Sequence, residues 1–418
     1  MKKLEEASLG YWEEKSYMMV IPRDQDCDLL KNSIENINSI SEMKVIEHHL
    51  NAAEQVFYMT IEYQKEKYEV GFYSGGVSVP DYYLNHNFLF TEKEKTDLLS
   101  ATKALTIFME FHEDSKKSFQ LQLKLAVAMV PDMIGVLDES AEKVLPAKWV
   151  IMTSKSKVLP SPKSLFNVQA VTDKKNNVWL HTHGLCRCGL TELEILGSNV
   201  SNYQNHYHLI STYATYLLDK NDTVDPRKSS AYIGCLVNGY PVVVTCRSWT
   251  EGILEYKKQK LGGINDRKNG HNSKTSIIFL YQSEEDEKNG VLSKISIYDT
   301  LWGENPLFFI SEKETSRMKE LAMERFSYVK EQSENKENTI LIKIGLPLKE
   351  IGKFEHIWFE LLEFKGEKFK AKLTQEPYDI DTMHEGDEAW FTVKDVTNWT
   401  IYTKNKTIDP DLVYLLEQ

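Results

Sequence analysis

The chain contains no apolar run long enough to cross a membrane. Its longest, such as Leu125 to Pro131, fall far short of the ~18–20 residues a spanning helix requires. The opening residues, MKKLEEASLGYWEEKSY, are basic for two positions and then acidic. They hold no apolar stretch and no cleavage pattern, so no signal peptide is expected. Cysteine is scarce too: Cys27, Cys186, Cys188, Cys235 and Cys246 are odd in number and scattered. That excludes a disulfide framework and fits a reducing compartment, so the expected location is cytoplasmic. Basic residues are in deficit, 50 Lys plus Arg against 62 Asp plus Glu, for a net charge of −12. No dense Lys/Arg run appears, so neither a nucleic-acid nor a membrane partner is expected. The sequence also lacks G-x-S-x-G, H-E-x-x-H and a dinucleotide fingerprint. Gly262-Gly263 has no P-loop pattern after it and reads as a turn.

What is present is ordinary for a globular protein: 41% hydrophobic and 27% charged residues over 418 positions. That length supports several cores. Tyr17 to Ile21 reads as a strand and Asp24 to Ile40 as a helix. Val56 to Tyr63 and Tyr68 to Phe72 alternate about QKEK as a hairpin. Thr91 to Phe111 predicts an amphipathic helix with a capping box from Thr91 and Glu94. Ser118 to Met129 predicts a second helix, and Met133 to Leu137 a buried strand. These make a first α+β unit, residues 1–145.

The middle unit, 146–330, opens with Lys148 to Thr153 as a strand. Leu165 to Thr172 and Val178 to His183 form a hairpin, and Tyr203 to Leu218 a helix. Asn238-Gly239 predicts a two-residue hairpin turn, which places Leu236 opposite Pro241 and marks Pro241 as an edge position. Ser276 to Tyr281 and Val291 to Tyr298 add strands, and Glu312 to Tyr328 a charged helix. SEEDEKNG, residues 283–290, reads as a solvated turn. The polar run 331–338 reads as a linker. Beyond it, residues 339–418 show recurrent strands and are acidic, with ten Lys against fifteen Asp plus Glu. The expected fold class is α+β, with mostly antiparallel sheets, flanking helices and a small β-rich C-terminal domain.

The densest chemistry lies in WLHTHGLCRCGLTELEIL, residues 179–196. On a strand His181 and His183 project to one face, as two ligands of one metal would. Glu192 and Glu194 add carboxylates, and Cys186 and Cys188 add thiols. Cys-x-Cys is tight for a zinc tetrahedron, whose cysteine pairs usually follow C-x₂₋₄-C. The competing reading makes the histidines buried strand-end residues and the cysteines core fillers. His206 and His208 lie on a predicted helix without sharing a face, and read as solvated or capping residues. Among the tryptophans, Trp358 and Trp399 are candidates for lining a groove in the C-terminal module.

Two resemblances follow from these residues. Glu355-His356-Ile357-Trp358, Gly366, Glu376-Pro377, Gly386-Asp387 and Asn398-Trp399 resemble a YegJ-like bacterial domain of unknown function. Asn398 stands where that pattern has Asp, and Glu376 where Asn is common. The stretch His181-Thr182-His183-Gly184-Leu185, Arg187 and Glu192-Leu193-Glu194 resembles family four thousand and twenty-six of the bacterial domains of unknown function. Cys186 and Cys188 lie outside that pattern. The resemblance implies a bacterial cytoplasmic protein and supplies no activity. It leaves His181, His183, Glu192 and Glu194 as metal candidates, and Arg187, His356, Trp358 and Trp399 as binding candidates.

Two functions are compatible with this sequence. One is a non-catalytic interaction protein, immunity-like or regulatory, whose acidic surface recognises a protein partner and which needs no cofactor. The alternative is a metal-assisted hydrolase in which His181 and His183 hold a divalent ion and a glutamate acts as ligand or base.

Overall fold

A computed structural model describes residues 15–84, 89–220, 226–236, 239–257, 259, 261–267, 275–302, 307–350 and 353–417. They divide into two compact units. One holds the residues up to Lys155 and Leu159–Ser311, the other Ser156–Val158 and the residues from Glu312 onward. The fold class is α+β. All strand pairs among the described residues are antiparallel except β10 with β13.

The first unit carries two seven-stranded sheets over one continuous hydrophobic core. Its first sheet uses β1 (Ser16–Pro22), β2 (Met43–Asn51), β3 (Val56–Tyr63), β4 (Glu66–Gly76), β5 (Lys103–Met109), β6 (Met133–Asp138) and β7 (Lys143–Pro146). The order is β2-β3-β4-β5-β1-β6-β7. The β3–β4 hairpin turns at Gln64 and Lys65, both at positive φ (49° and 71°), as a tight hairpin requires. The helix Ser115–Met129 starts on Asp114, whose side chain accepts the Lys117 N–H. It buries Phe119, Leu121, Leu123 and Leu125 in the common core.

Three expectations fail in this region. The predicted helix Thr91–Phe111 is a helix only over Glu92–Ser100; the rest is β5, in the middle of the sheet. A strand buried on both faces loses the period-two alternation, so Ala104 to Met109 reads equally well as helix or strand. The capping box of Thr91 and Glu94 is present as expected. Of the predicted helix 24–40 only Ser33–Asn38 is helical, and Lys148–Thr153 is part of the helix Ala147–Lys155 instead of a strand.

The second sheet uses β8 (Asn167–Thr172), β9 (Asn177–His183), β10 (Glu192–Asn199), β11 (Ala231–Cys235), β12 (Pro241–Ser248), β13 (Thr275–Tyr281) and β14 (Leu307–Phe308). The order is β14-β11-β12-β13-β10-β9-β8, with the helix Tyr203–Lys220 packed on it. Pro241 pairs with Cys235 and not with Leu236, and β12 is an interior strand. The Leu236 N–H bonds the Tyr240 carbonyl, so the loop is longer than two residues. Pro241 is tolerated because it opens its strand. Asn238 of the expected turn lies outside the described residues. Residues 284–289 form a short exposed helix capped by Ser283, and Ile295–Tyr298 is a 3₁₀ turn instead of a strand.

The second unit is a six-stranded sheet of order β18-β17-β16-β15-β19-β20. Its strands are β15 (Thr339–Pro347), β16 (Phe354–Lys365), β17 (Lys368–Leu373), β18 (Glu388–Thr392), β19 (Val396–Tyr402) and β20 (Thr407–Ile408). The helix Glu312–Glu324 packs on β19 and belongs to this unit, not to the middle of the chain. The expected linker at 331–338 is the end of the helix Phe326–Gln332 followed by a hydrogen-bonded turn. There Asn338 Nδ2 donates to the Gln332 carbonyl at 3.2 Å.

Candidate functional site

The HTHGL stretch folds as the end of β9, a turn, and the start of β10. Gly184 takes φ 108°, and a Cβ there would collide with the Leu165 carbonyl, so the turn needs glycine. The Glu192 carboxylate brackets this turn. It accepts the Thr182 hydroxyl at 2.6 Å, the Gly184 N–H at 2.8 Å and the Cys186 N–H at 3.0 Å. The Glu194 carboxylate is buried and accepts both terminal nitrogens of Arg267, at 2.6 and 2.8 Å, and the Trp179 indole at 2.8 Å. Arg267 in turn lies over the rings of Trp179 and Trp249. Both glutamates are therefore occupied by donors of their own chain.

His181 and His183 do lie close, with ring centroids 4.9 Å apart. His181 is buried and stacks on Trp179 at 4.1 Å. His183 Nδ1 lies 3.3 Å from a Glu142 oxygen. No group of three or more His, Cys, Asp or Glu side chains arranged to hold a metal occurs among the described residues. Cys186 is buried, and burial pushes the Cys188 thiol up to about 12, against the pull of Arg187. That disfavours a thiolate ligand or nucleophile at Cys188.

Arg187 is not a surface binding residue. Its side chain is sealed and meets Asp138, also sealed, in a bidentate pair at 2.7 and 2.9 Å. It also donates to the Ser16 hydroxyl at 3.0 Å and the Leu165 carbonyl at 2.6 Å. The rings of Phe111 and Phe119 lie 5.5 and 5.1 Å from the guanidinium. Ser16 passes the network on to Gln122, which bonds the Ile107 carbonyl. One arginine thus ties β1 and β6 of the first sheet to the turn after β9.

His206 also differs from its expectation. It is fully buried, with Nδ1 2.7 Å from the Ser198 hydroxyl and Nε2 3.0 Å from Asp299. Burial lowers its pKa, opposed by Asp299. The serine is buried as well, so this serine–histidine–aspartate line is packing and not an open nucleophile. His208 is exposed.

In the second unit Trp399 is a core residue and lines no groove. It is fully buried and its indole donates to the Ala322 carbonyl at 2.9 Å. Trp358 is half-buried on the opposite face of the sheet, under the Lys343 ammonium at 5.6 Å. His356 is exposed and lies 3.2 Å from the Thr397 hydroxyl. Partial burial of its ring depresses its pKa, with Lys343 and Lys319 adding to the effect.

A surface without a sequence-level signal lies on the first sheet, opposite its helix Ser115–Met129. His49, Tyr58, Gly71, Phe108 and Tyr17 form one row across β2, β3, β4, β5 and β1. Phe108 lies flat over Gly71, where any Cβ would strike the ring. Tyr17 stacks on Phe108 at 5.3 Å, Tyr58 meets it edge-on at 5.9 Å, and His49 stacks on Tyr58. Tyr73 adds a further ring, tilted, 6.3 Å from Phe108. A groove of about 240 Å³ opens over the Tyr58, Gly71 and Phe108 part of this row. Lys15, Lys67, Glu69 and Glu110 share its lining with Tyr58 and Phe108. Burial raises the Tyr17 hydroxyl's pKa, with help from Tyr73, Tyr58 and Glu139. Only a strand reading of β5 would reveal the row, because Phe108 is its hub.

No curated protein and no solved structure matches the chain significantly. Family comparison does find matches. Residues 16–160 and 168–279 match the N-terminal and C-terminal parts of a family described as Protein of unknown function (DUF4026). The chain therefore carries both domains of that family, followed at residues 310–411 by a domain described as Uncharacterized protein conserved in bacteria (DUF2314).

Proposed function

We propose that the chain is a non-catalytic recognition protein of the bacterial cytoplasm, immunity-like or regulatory, and that it contacts a protein partner through the open face of its first sheet. The observation that carries this is the aromatic row itself. Four rings, Tyr17, Tyr58, Tyr73 and Phe108, gather on a sheet face that the described residues leave partly open, with Tyr17 37% exposed. Aromatic side chains at the centre of a patch, with charged residues around it, are what protein interfaces enrich. The metal-assisted hydrolase is supported less well, because Glu192 and Glu194 are both held by donors of the fold.

The test is a photo-crosslink. A benzophenone amino acid replaces Tyr58 in one variant of the full chain and Lys174, in an exposed turn, in another. A discrete adduct from position 58 that disappears with Tyr17→Ser, and is absent from position 174, supports the reading. Equal adducts from both positions, or none from position 58, would sink it.

A further inference from the structure

We infer that the groove on the first sheet receives a basic side chain of the partner, an arginine or a lysine, at the place that Lys15 holds in the free chain. This rests on the recognition reading above and names the chemistry of the partner.

Lys15 directly precedes β1. Its ammonium lies over the Phe108 ring, 5.6 Å from the centroid, and 3.9 Å from a Glu110 carboxylate oxygen. This is the arrangement that binds a cation: the negative face of an aromatic ring and a carboxylate beside it. The chain thus supplies its own demonstration of what the groove accepts. The contact is loose, with Lys15 exposed over 43% of its side chain and Glu110 over 71%. Exposed cation–π contacts and exposed ion pairs are individually weak, so a partner's side chain can displace this one.

The rest of the lining agrees. With Lys15 displaced, the groove presents Glu69 and Glu110 against Lys67, with His112 also in its lining and its Nδ1 3.1 Å from a Glu66 oxygen. Lys67 pairs in register with Glu62 across the β3–β4 hairpin. Glu139 lies close enough to act on the Tyr17 hydroxyl. A groove of about 240 Å³ is large enough for one long side chain, not for a folded element. The Tyr58 ring, edge-on to Phe108, lines the groove beside that platform and would meet a planar face of a guanidinium. The chain's charge of −12 would speed the approach of such a partner.

The experiment uses fluorescein-labelled hexa-arginine and hexa-citrulline peptides with the full chain, read by anisotropy at low and physiological salt. Citrulline keeps the shape and hydrogen-bonding plane of arginine and removes the charge. Lys15→Ala should tighten hexa-arginine binding about three- to tenfold, since it removes the competing cation. Lys174→Ala, which changes net charge equally but lies elsewhere, should leave it within about twofold. Glu110→Gln should weaken it, and hexa-citrulline should bind poorly to every variant. Lys15 and Glu110 are exposed, so these changes do not threaten folding. If Lys15→Ala and Lys174→Ala behave alike while Tyr58→Ser weakens the peptide, the face binds but not by this cation site, and the inference falls alone. If neither Lys15→Ala nor Tyr58→Ser has an effect, or hexa-arginine does not bind, the inference and the recognition surface fall together.

Discussion

Replacing Arg187 by Met tests whether the centre of the HTHGL stretch is architecture. The methionine keeps much of the arginine's length and apolar contact with Phe111 and Phe119, and removes the charge. Asp138 then remains at zero exposure without its bidentate partner. The Ser16 hydroxyl and the Leu165 carbonyl lose a donor each. Removing one member of a buried ion pair costs about 3–5 kcal/mol; Lys143, in register with Asp138 and acting on its charge, places the expected loss toward the lower end. Whole domains are stable by only ~5–15 kcal/mol, so this is a large fraction. In a domain of this size it corresponds to a fall of roughly 5–15 °C in melting temperature.

A second variant separates the pair from the site. Arg187→Met with Asp138→Leu removes both charges at similar volume. Buried pairs replaced in this way are often neutral, so the double variant should recover much of the loss. Differential scanning calorimetry of the full chain reads both variants, with the transition of the first unit followed separately from that of the second. A melting temperature for Arg187→Met within about 1 °C of the parent would refute the reasoning. So would a double variant worse than the sum of its two single changes. A surface arginine involved only in binding would give the first of these results, since exposed substitutions usually change stability by under ~0.5 kcal/mol.

Other outcomes follow from the same structure. Trp399→Phe removes the indole donor to the Ala322 carbonyl inside the second unit and should cost about 1–3 kcal/mol, seen as a lower urea midpoint for that unit alone. Glu66 is held down to about 2 by hydrogen bonds from Lys117, Tyr68 and His112. A folded-state pKa below the unfolded value stabilises above about pH 4.5, and that contribution is lost as pH falls toward 2; the urea midpoints of the parent and Glu66→Gln should therefore converge over this range. The double variant His181→Ala/His183→Ala should lose stability without any change in zinc, manganese or iron content by elemental mass spectrometry. Near-stoichiometric metal in the parent that vanishes in this variant would restore the hydrolase.

The hairpins and the C-terminal strands were legible because their alternation is simple. Phe57, Met59, Ile61 and Tyr63 point inward and the turn chemistry follows. Strand β5 was not legible, because its residues from Ala104 to Met109 are buried on both faces and carry no period. Strand β2 was missed for the opposite reason: at the sheet edge its EHHL stretch is mostly exposed, so no inward side is marked. For the candidate site, the spacing of His181 and His183 did imply that their rings lie close. It could not show that Glu194 is held by Arg267, 73 positions later in the chain. Partners at that separation leave no trace in local spacing, and they decide whether a carboxylate is a ligand or a strut.

Four polar residues of the HTHGL stretch and its continuation, Thr182, Arg187, Glu192 and Glu194, serve the fold. Thr182 and Glu192 close the turn, Arg187 joins two sheets, and Glu194 fixes Arg267 between two tryptophans. Buried charges are costly, and an unmatched one costs several kcal/mol, so such sets tolerate little change whatever the protein does. Arg187 and the two glutamates thus mark the joint between two sheets, and their density alone is no guide to chemistry. The aromatic row is the reverse. Tyr17 and Tyr58 stay partly open around the buried Phe108, and Tyr58 and Phe108 line the groove proposed to accept a cation. A fold gains nothing in stability from keeping large rings partly in water, since their burial is what stabilises. Function is therefore better sought where aromatic surface stays partly open than where the charges are most concentrated.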